Sequence, residues 1–396
     1  MTYDVCVIGG CGHVGLPLSI AFAVRGKRVA IYDIDQEALK QVARGEFPFM
    51  EEDGDAMLRQ ALDSKRLTIA TDPQVVAESE AVVLVVGTPI DSHLTPSFEA
   101  IDDILRSFKP YLRDGQLIIL RSTLYPGTSA RIERWLSLNG FKIDLAVCPE
   151  RIMQGRGLSE LFGLPQIVSA FSPVGTSRAG KLFSVLTQEI VEMEPLEAEL
   201  AKLFTNAWRY IKFAVANQYY MIASDLGVDY DAIYHGITYK YPRSADFPPP
   251  GFAAGPCLFK DTMQLASFTQ NSFFLGHAAM LVNEGLPQFI VNSLKRSEPH
   301  LSSKIVGILG MAFKAEVDDE RDSLSHKLRS LLEIEAGGVL CSDPYVQRAR
   351  LLPAEVVIER SDIVIVATPH KVYKDLRFGD KRVIDIWNLR GQGRRL

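Results

Sequence analysis

Val5-Cys6-Val7-Ile8-Gly9-Gly10-Cys11-Gly12-His13-Val14-Gly15 sets a run of β-branched and apolar residues directly ahead of a glycine-rich loop. Tyr3 to Ile8 reads as a strand, and the loop opens a helix through Leu18 to Val24. Strand, GxGxxG and helix in that order make the phosphate turn of a dinucleotide fold. Gly10 is expected to permit the tight turn, Gly12 to let the backbone approach a pyrophosphate, and Gly15 to allow close helix-to-strand packing. The anion then rests on the helix N-terminus. Cys11, His13 and Val14 belong to the same cofactor loop, His13 as a spacer rather than a catalyst.

The next strand, Arg28 to Tyr32, ends at Asp33, where a carboxylate can accept from the adenosine ribose hydroxyls and repel a 2'-phosphate. NAD is therefore expected over NADP. The plainer alternative is that the glycines make a simple turn and Asp33 caps the following helix. Thr88-Pro89 and Ser122-Thr123 end the fourth and fifth strands, at the carboxyl edge where doubly wound sheets bind ligands, so Thr88 and Thr123 are expected cofactor contacts.

Strands are expected near 3–8, 28–33, 66–70, 81–87, 116–121, 144–148 and 166–170, alternating with helices over a parallel sheet. Two long helical stretches follow, Glu197 to Leu226 and Leu258 to Ser293, around a loop rich in proline and glycine. Strand rhythm returns at Ile305–Leu309, Val339–Cys341, Ile363–Ala367 and Val383–Ile386. The expected fold is α/β: two Rossmann-like doubly wound domains joined by a long central helical region. The expected division is 1–192, 193–298 and 299–396.

A chain of 396 residues with a net charge of -5 and interspersed signs has no basic stripe for a nucleic acid. Its longest apolar runs, such as Ala81 to Gly87, fall far short of the roughly 20 residues of a membrane span. With no signal-peptide pattern at its start, it is expected to be cytoplasmic. The cysteines Cys6, Cys11, Cys148, Cys257 and Cys341 form no CxxC pair, so neither a metal site nor a disulfide framework is expected.

Three segments could carry chemistry. Cys148-Pro149-Glu150-Arg151 ends a strand and places Glu150 at the mouth of the sheet. Glu199 to Asn206 is helical, so Lys202 and Asn206 share a face and could stabilise an alkoxide. On spacing alone they read rather as a solvated lysine and a surface asparagine. Gly251-Phe252-Ala253-Ala254-Gly255-Pro256-Cys257 is a small-residue loop entering a helix with Pro256 in its first turn. A helix start and nearby Lys260 would lower the Cys257 thiol pKa, and Asp261, one turn on, could hold a water beside it. Taken singly, a lone cysteine reads rather as a buried apolar residue.

Together the segments resemble the family of UDP-glucose and GDP-mannose dehydrogenases. The resemblance spans VIGGCGHVGLPLS, RSTLYPGT, CPERI, ELAKLFTNA, GPCLFKD and GILGMAFKAEVDDERDS, the last from Gly307 to Ser323. It implies an NAD domain, a central helix that makes a homodimer, and a C-terminal domain that holds the nucleotide of a UDP-sugar. The implied reaction is a four-electron oxidation of the sugar C6 alcohol to a carboxylate. Lys202 and Asn206 would stabilise the oxyanion and Cys257 would carry a thiohemiacetal and then a thioester. Asp261, Glu150 and Thr123 would direct the hydrolytic water. Phe313 and Lys314, with Arg151, Arg243 and Gly251, would contact the sugar nucleotide, and Arg321 would reach the NAD.

The sequence departs from the family pattern at Ala254, where a second glycine is usual, and at Gln154, where an acidic residue is common. The sugar stays open between glucose and an N-acetylated hexosamine. Two other classes compete. A two-electron β-hydroxyacid dehydrogenase also pairs a glycine loop with a helical lysine and asparagine, but needs neither Cys257 nor a second α/β unit. A catalytically silent NAD or sugar-nucleotide sensor would not need the set Lys202, Asn206, Cys257 and Asp261.

Overall fold

The computed structural model describes residues 2–87 and 98–394. The chain divides into two compact units, Met1–Phe204 and Thr205–Leu396.

The first unit is built on eight strands: β1 (Tyr3–Ile8), β2 (Val29–Tyr32), β3 (Leu67–Ala70), β4 (Ser79–Leu84), β5 (Leu117–Leu120), β6 (Asp144–Val147), β7 (Gln166–Ala170) and β8 (Ile190–Glu192). Their order is β3-β2-β1-β4-β5-β6-β7-β8, so the chain winds outward in both directions from β1. Helices cover both faces, which is why the central strands β1, β2, β4 and β5 carry near-continuous apolar runs such as Val5–Ile8 and Leu117–Leu120 rather than alternating. Val5, Val7, Ile31, Val83 and Ile119 pack on one side with Leu16, Ile20 and Phe22 of the helix Gly15–Val24. Cys6, Ile8, Val82, Leu84 and Ile118 pack on the other with Leu105, Ile132 and Leu136.

The second unit contains the helices Tyr230–Thr238, Leu258–Phe268 and Phe274–Ser297, and most of the long helix Pro195–Asp225. Its sheet is β9 (Ile305–Leu309), β10 (Gly338–Ser342), β11 (Ile363–Val366) and β12 (Arg382–Asp385), all parallel in the order β10-β9-β11-β12. Tyr220, Leu286, Ile290 and Leu294 from the helices share one core with Val306, Ile308, Ile365 and Ile384 of the sheet.

The expected strands all form, with ends displaced by a few residues at most. Three features differ. The first sheet is not wholly parallel, since β7 runs antiparallel to β6. The edge strand β8, three residues long, is too short to register as a period. The stretch expected as one helix from Leu258 to Ser293 breaks after Phe268 and restarts at Phe274. Gln270 and Asn271 there adopt left-handed φ values of 53° and 62°, while Thr269 and Ser272 hydroxyls bond back to the preceding carbonyls. Short polar side chains that compete for backbone groups end a helix in this way. Among the described residues, no helix is long and apolar enough to cross a membrane.

Candidate active site

The glycine loop is shaped by exclusion. Gly9 has φ +76°, and a Cβ on it would collide with the Val85 carbonyl oxygen. The left-handed φ of the tight turn expected at Gly10 falls on the preceding Gly9. Gly10 is instead required because a Cβ would stand 2.6 Å from Ile31 and 2.9 Å from the Val7 oxygen. A Cβ on Gly15 would meet the Gly9 oxygen, which matches the expected close packing of helix on strand. Gly12 alone is open: it is exposed, and its nearest neighbour would be 3.7 Å away. Val14 stands at the N-cap position of the helix that follows.

Asp33 accepts a 2.9 Å bond from the Cys11 amide and a 3.0 Å bond from the Asp35 amide, tying the acidic strand end to the loop. The next helix is capped by Asp35, which accepts from the Glu37 and Ala38 amides, and not by Asp33. The Cys11 thiol is buried and pushed up to about 12 by burial, with the charges of Asp33 and Asp35 adding to it. The His13 ring lies 3.9 Å from that of Phe49, and its Nε2 is 3.3 Å from Gln154 Nε2. An open backbone at a helix N-terminus with a carboxylate at the second strand end fits NAD. Thr88 lies outside the described residues.

Further along the same carboxyl edge, past β5, Arg121 is fully buried and paired with Glu150. Its guanidinium also donates to the Cys148 carbonyl and to Gln166 Oε1, each at 2.8 Å, and sits 4.7 Å over the Phe183 ring. The second Glu150 oxygen accepts from the Arg151 amide at 2.6 Å and the Ile152 amide at 3.0 Å. Both oxygens are therefore committed, and removing one partner of such a buried pair costs about 3–5 kcal/mol. Arg151 donates to the Pro165 carbonyl, and burial lowers its pKa. Thr123 is half-buried just past β5, beside Ser122, whose hydroxyl donates to the Val86 carbonyl at 2.5 Å.

The long helix carries a residue that sequence reasoning passed over. Glu199 is buried and accepts from the Gly127 amide at 2.6 Å and the Ser129 amide at 2.7 Å. It thereby supplies the missing cap to the helix Thr128–Leu138, whose N-cap is a glycine. Burial raises its carboxyl pKa and the two amides oppose this. Its ELAK context alone signals only a helix start. Lys202, half-buried, and Asn206, buried, lie one turn apart, so the reading of Asn206 as a surface residue is excluded.

Asn206 Nδ2 donates to Asp261 Oδ2 at 2.6 Å, and Asp261 is itself buried. The Asp261 amide in turn donates to the Cys257 carbonyl at 2.9 Å, closing the first turn of the helix Leu258–Phe268. Cys257 occupies the N-cap position, one residue before the helix begins, so Pro256 lies outside the helix rather than in its first turn. Of the five cysteines this one is exposed and the other four are buried.

The loop before Cys257 is clamped from several sides. Gly255 has φ +104°, donates to the Asp322 carbonyl at 3.3 Å, and leaves no room for a Cβ against the Phe313 ring. Ala254 packs partly buried against the core, so the departure from a glycine pair is accommodated. Gly251 lies against the Trp387 ring, and its own amide and carbonyl are both bonded to Asn217. Arg321 is held by Asp319, whose hydrogen bond is the largest cause raising the arginine's pKa; the charge of Cys257 adds to it. Lys314 is half-buried beside Phe313. Arg243 is exposed and stacks on its neighbour Tyr241, to whose hydroxyl oxygen its Nε donates at 2.7 Å.

A doubly wound unit with an open glycine loop and an acidic second strand, followed by helices and a second parallel sheet, defines an NAD-dependent oxidoreductase. The chain belongs to the UDP-glucose/GDP-mannose dehydrogenase family: the family's NAD-binding domain matches residues 3–184, its central domain 196–284 and its UDP-binding domain 307–391. It is similar to a UDP-N-acetyl-D-mannosamine dehydrogenase of Pyrococcus horikoshii, with 30% identity over 93% of this chain and 90% of that protein. An NDP-N-acetyl-D-galactosaminuronic acid dehydrogenase of Ralstonia nicotianae is 27% identical over 95% and 94%. The solved structure of a UDP-glucose dehydrogenase from Pyrobaculum islandicum superposes with a TM-score of 0.90 at 25% identity, covering 97% of this chain and 94% of that one. The chain is thus an oxidoreductase that acts on a CH–OH group of a nucleotide sugar, with NAD as its cofactor.

Proposed function

We propose that this enzyme oxidises the C6 primary alcohol of a UDP-N-acetylhexosamine to the uronic acid through a covalent adduct on Cys257. The observation that carries the reading is the exposed Cys257 thiol at a helix start, one turn from the buried Asn206–Asp261 pair. The names of the relatives in Pyrococcus and Ralstonia favour an N-acetylated sugar over glucose.

When bound, NAD supplies the hydride acceptor for each of two oxidations. Lys202 and Asn206 stabilise the oxyanion at C6 as the alcohol gives up a proton to solvent and a hydride. The Cys257 thiolate adds to the resulting aldehyde, forming a C–S bond, and loss of a second hydride from this thiohemiacetal leaves a thioester. Asp261, with Thr123, directs a water onto the acyl carbon; the C–S bond breaks and the thiolate is regenerated. Glu150 acts at one remove, because its oxygens already serve Arg121 and the loop Arg151–Ile152.

Phe313, Lys314, Arg151 and Arg243 contact the sugar nucleotide, while Gly251 contributes by shaping the loop, its polar groups being taken by Asn217. Arg321 serves the cofactor and also lends positive charge to the neighbourhood of Cys257. Gly10, Cys11, Gly12, His13, Val14, Gly15, Asp33, Thr88 and Thr123 form the NAD site. Three functional segments, 1–192, 193–298 and 299–396, divide this work.

The long helix exposes Phe204, Trp208, Val215, Tyr219 and Ile222, with Leu226 just past its end, an apolar stripe of the kind that a second copy of the chain would cover in a homodimer. Consumption of NAD and a sugar nucleotide suits the cytoplasm. Incubation with NAD and UDP-GlcNAc, UDP-GalNAc, UDP-ManNAc, UDP-glucose or GDP-mannose tests the substrate: NADH is expected with an N-acetylated UDP-sugar. Turnover of UDP-glucose alone would reject the assignment of the sugar.

A further inference from the structure

Asn217, on the long helix, is completely buried and spends its side chain on two residues far along the chain. Its Oδ1 accepts from the Gly251 amide at 2.8 Å, and its Nδ2 donates to the Gly251 carbonyl at 3.0 Å. The same Nδ2 donates to Asn283 Oδ1 at 2.9 Å, and Asn283 Nδ2 donates to the Tyr210 carbonyl at 3.0 Å. Asn283, also completely buried, belongs to the helix Phe274–Ser297. One helix thus grips both backbone polar groups of Gly251 in an irregular loop, and a second helix braces the gripping side chain.

That loop leads to the thiol. Gly251 precedes Cys257 by six residues, and over this stretch Trp387 covers Gly251 while Phe313 covers Gly255. The ring contacts limit sideways movement, but only the Asn217 side chain bonds both backbone polar groups of Gly251, which sets the loop's register along the helix. Loop backbone buried without helix or strand pairing must find such partners, and a side-chain amide offers a donor and an acceptor on two separate atoms of one planar group.

We infer that Asn217 is a positioning residue for Cys257, fixing where the thiol stands when it must capture the aldehyde; this rests on the thioester reading above. A nucleophile held in register captures the aldehyde before it leaves, and a displacement of about an ångström can cost on the order of a hundredfold in rate. Loosening the grip on Gly251 should therefore do more than slow turnover. It should let aldehyde escape.

The experiment compares the full-length enzyme with Asn217→Ser, using a UDP-sugar that the wild type oxidises, in the presence of a hydroxylamine that traps aldehydes. Wild type is expected to release acid and no trapped aldehyde. Asn217→Ser is expected to bind NAD normally, to lose about tenfold or more in kcat, and to release oxime, with NADH per acid rising above two. Loss of activity that merely follows the folded fraction, with no oxime, would overturn the inference. Should Asn217→Ser not fold, Asn283→Ser removes the outer support without touching Gly251: oxime release from it supports the inference, and its absence rejects it. Failure of the wild type to reduce NAD with any UDP-sugar would refute the function instead, which keeps the two results separate.

Discussion

Asn206 and Asp261 meet at 2.6 Å, amide to carboxylate, with both side chains buried. The bond joins the long helix to the first turn of the helix that starts behind Cys257. On the proposed mechanism, this amide orients the carboxylate that directs water onto what the thiol carries.

Replacing Asp261 by asparagine keeps its volume and removes its charge. Turnover is expected to fall about a hundredfold, in keeping with loss of a general base, while NAD affinity stays unchanged. Intact-mass spectrometry during turnover should find Cys257 carrying the sugar acyl group. A normal rate with no adduct would take Asp261 out of hydrolysis.

Burial holds the Cys6, Cys11 and Cys148 thiols up at about 12 and that of Cys341 at about 11, so these four stay protonated at neutral pH. Cys257 is the exposed one. Native protein at neutral pH should take up one equivalent of iodoacetamide per chain and lose activity in step, and Cys257→Ala should take up none. Rapid labelling of a second cysteine would contradict this picture.

Asp343 follows β10, and its Oδ2 accepts from the Met311 and Ala312 amides at 2.7 and 2.8 Å and lies 3.2 Å from His370 Nε2. Burial pushes this carboxyl up, but the His370 interaction and the Ala312 and Tyr345 amides outweigh it, holding it at about 2 against an ordinary 3.8. A depressed pKa stabilises the fold fully above the ordinary value and loses that contribution as pH falls toward 2. The difference corresponds to about 2 kcal/mol at neutral pH. Asp343→Asn should lower the stability of the second unit by about that amount and flatten its loss below about pH 4, as urea titrations across the acid range would record. An unchanged acid dependence would contradict the pairing.

Strands were legible because parallel sheets buried on both faces demand unbroken β-branched runs, and Val5 to Ile8 or Ile363 to Val366 have no other good reading. The glycine loop and Asp33 were legible because their motif is local, although the left-handed φ of its turn falls on Gly9, one residue ahead of the GxGxxG pattern. Partners far apart in sequence were not. Arg121 stands 29 residues from Glu150, Glu199 stands 72 from Gly127, and Asn217 stands 34 from Gly251. A short pattern records that a residue is polar and sits on a helix or strand end; it does not record which distant backbone group it will satisfy. The same limit let Leu258 to Ser293 read as one helix, since the polar turn from Thr269 to Ser272 breaks it only by bonds back to its own carbonyls.

The stoichiometry of the reaction tests the central claim most directly. With the UDP-sugar that supports turnover, NADH is followed by absorbance and the sugar acid by chromatography in the same reaction. Two NADH per acid, with no free aldehyde, is the predicted result. One NADH per oxidised sugar, with an aldehyde or ketone as the product, would contradict a covalent four-electron oxidation at Cys257.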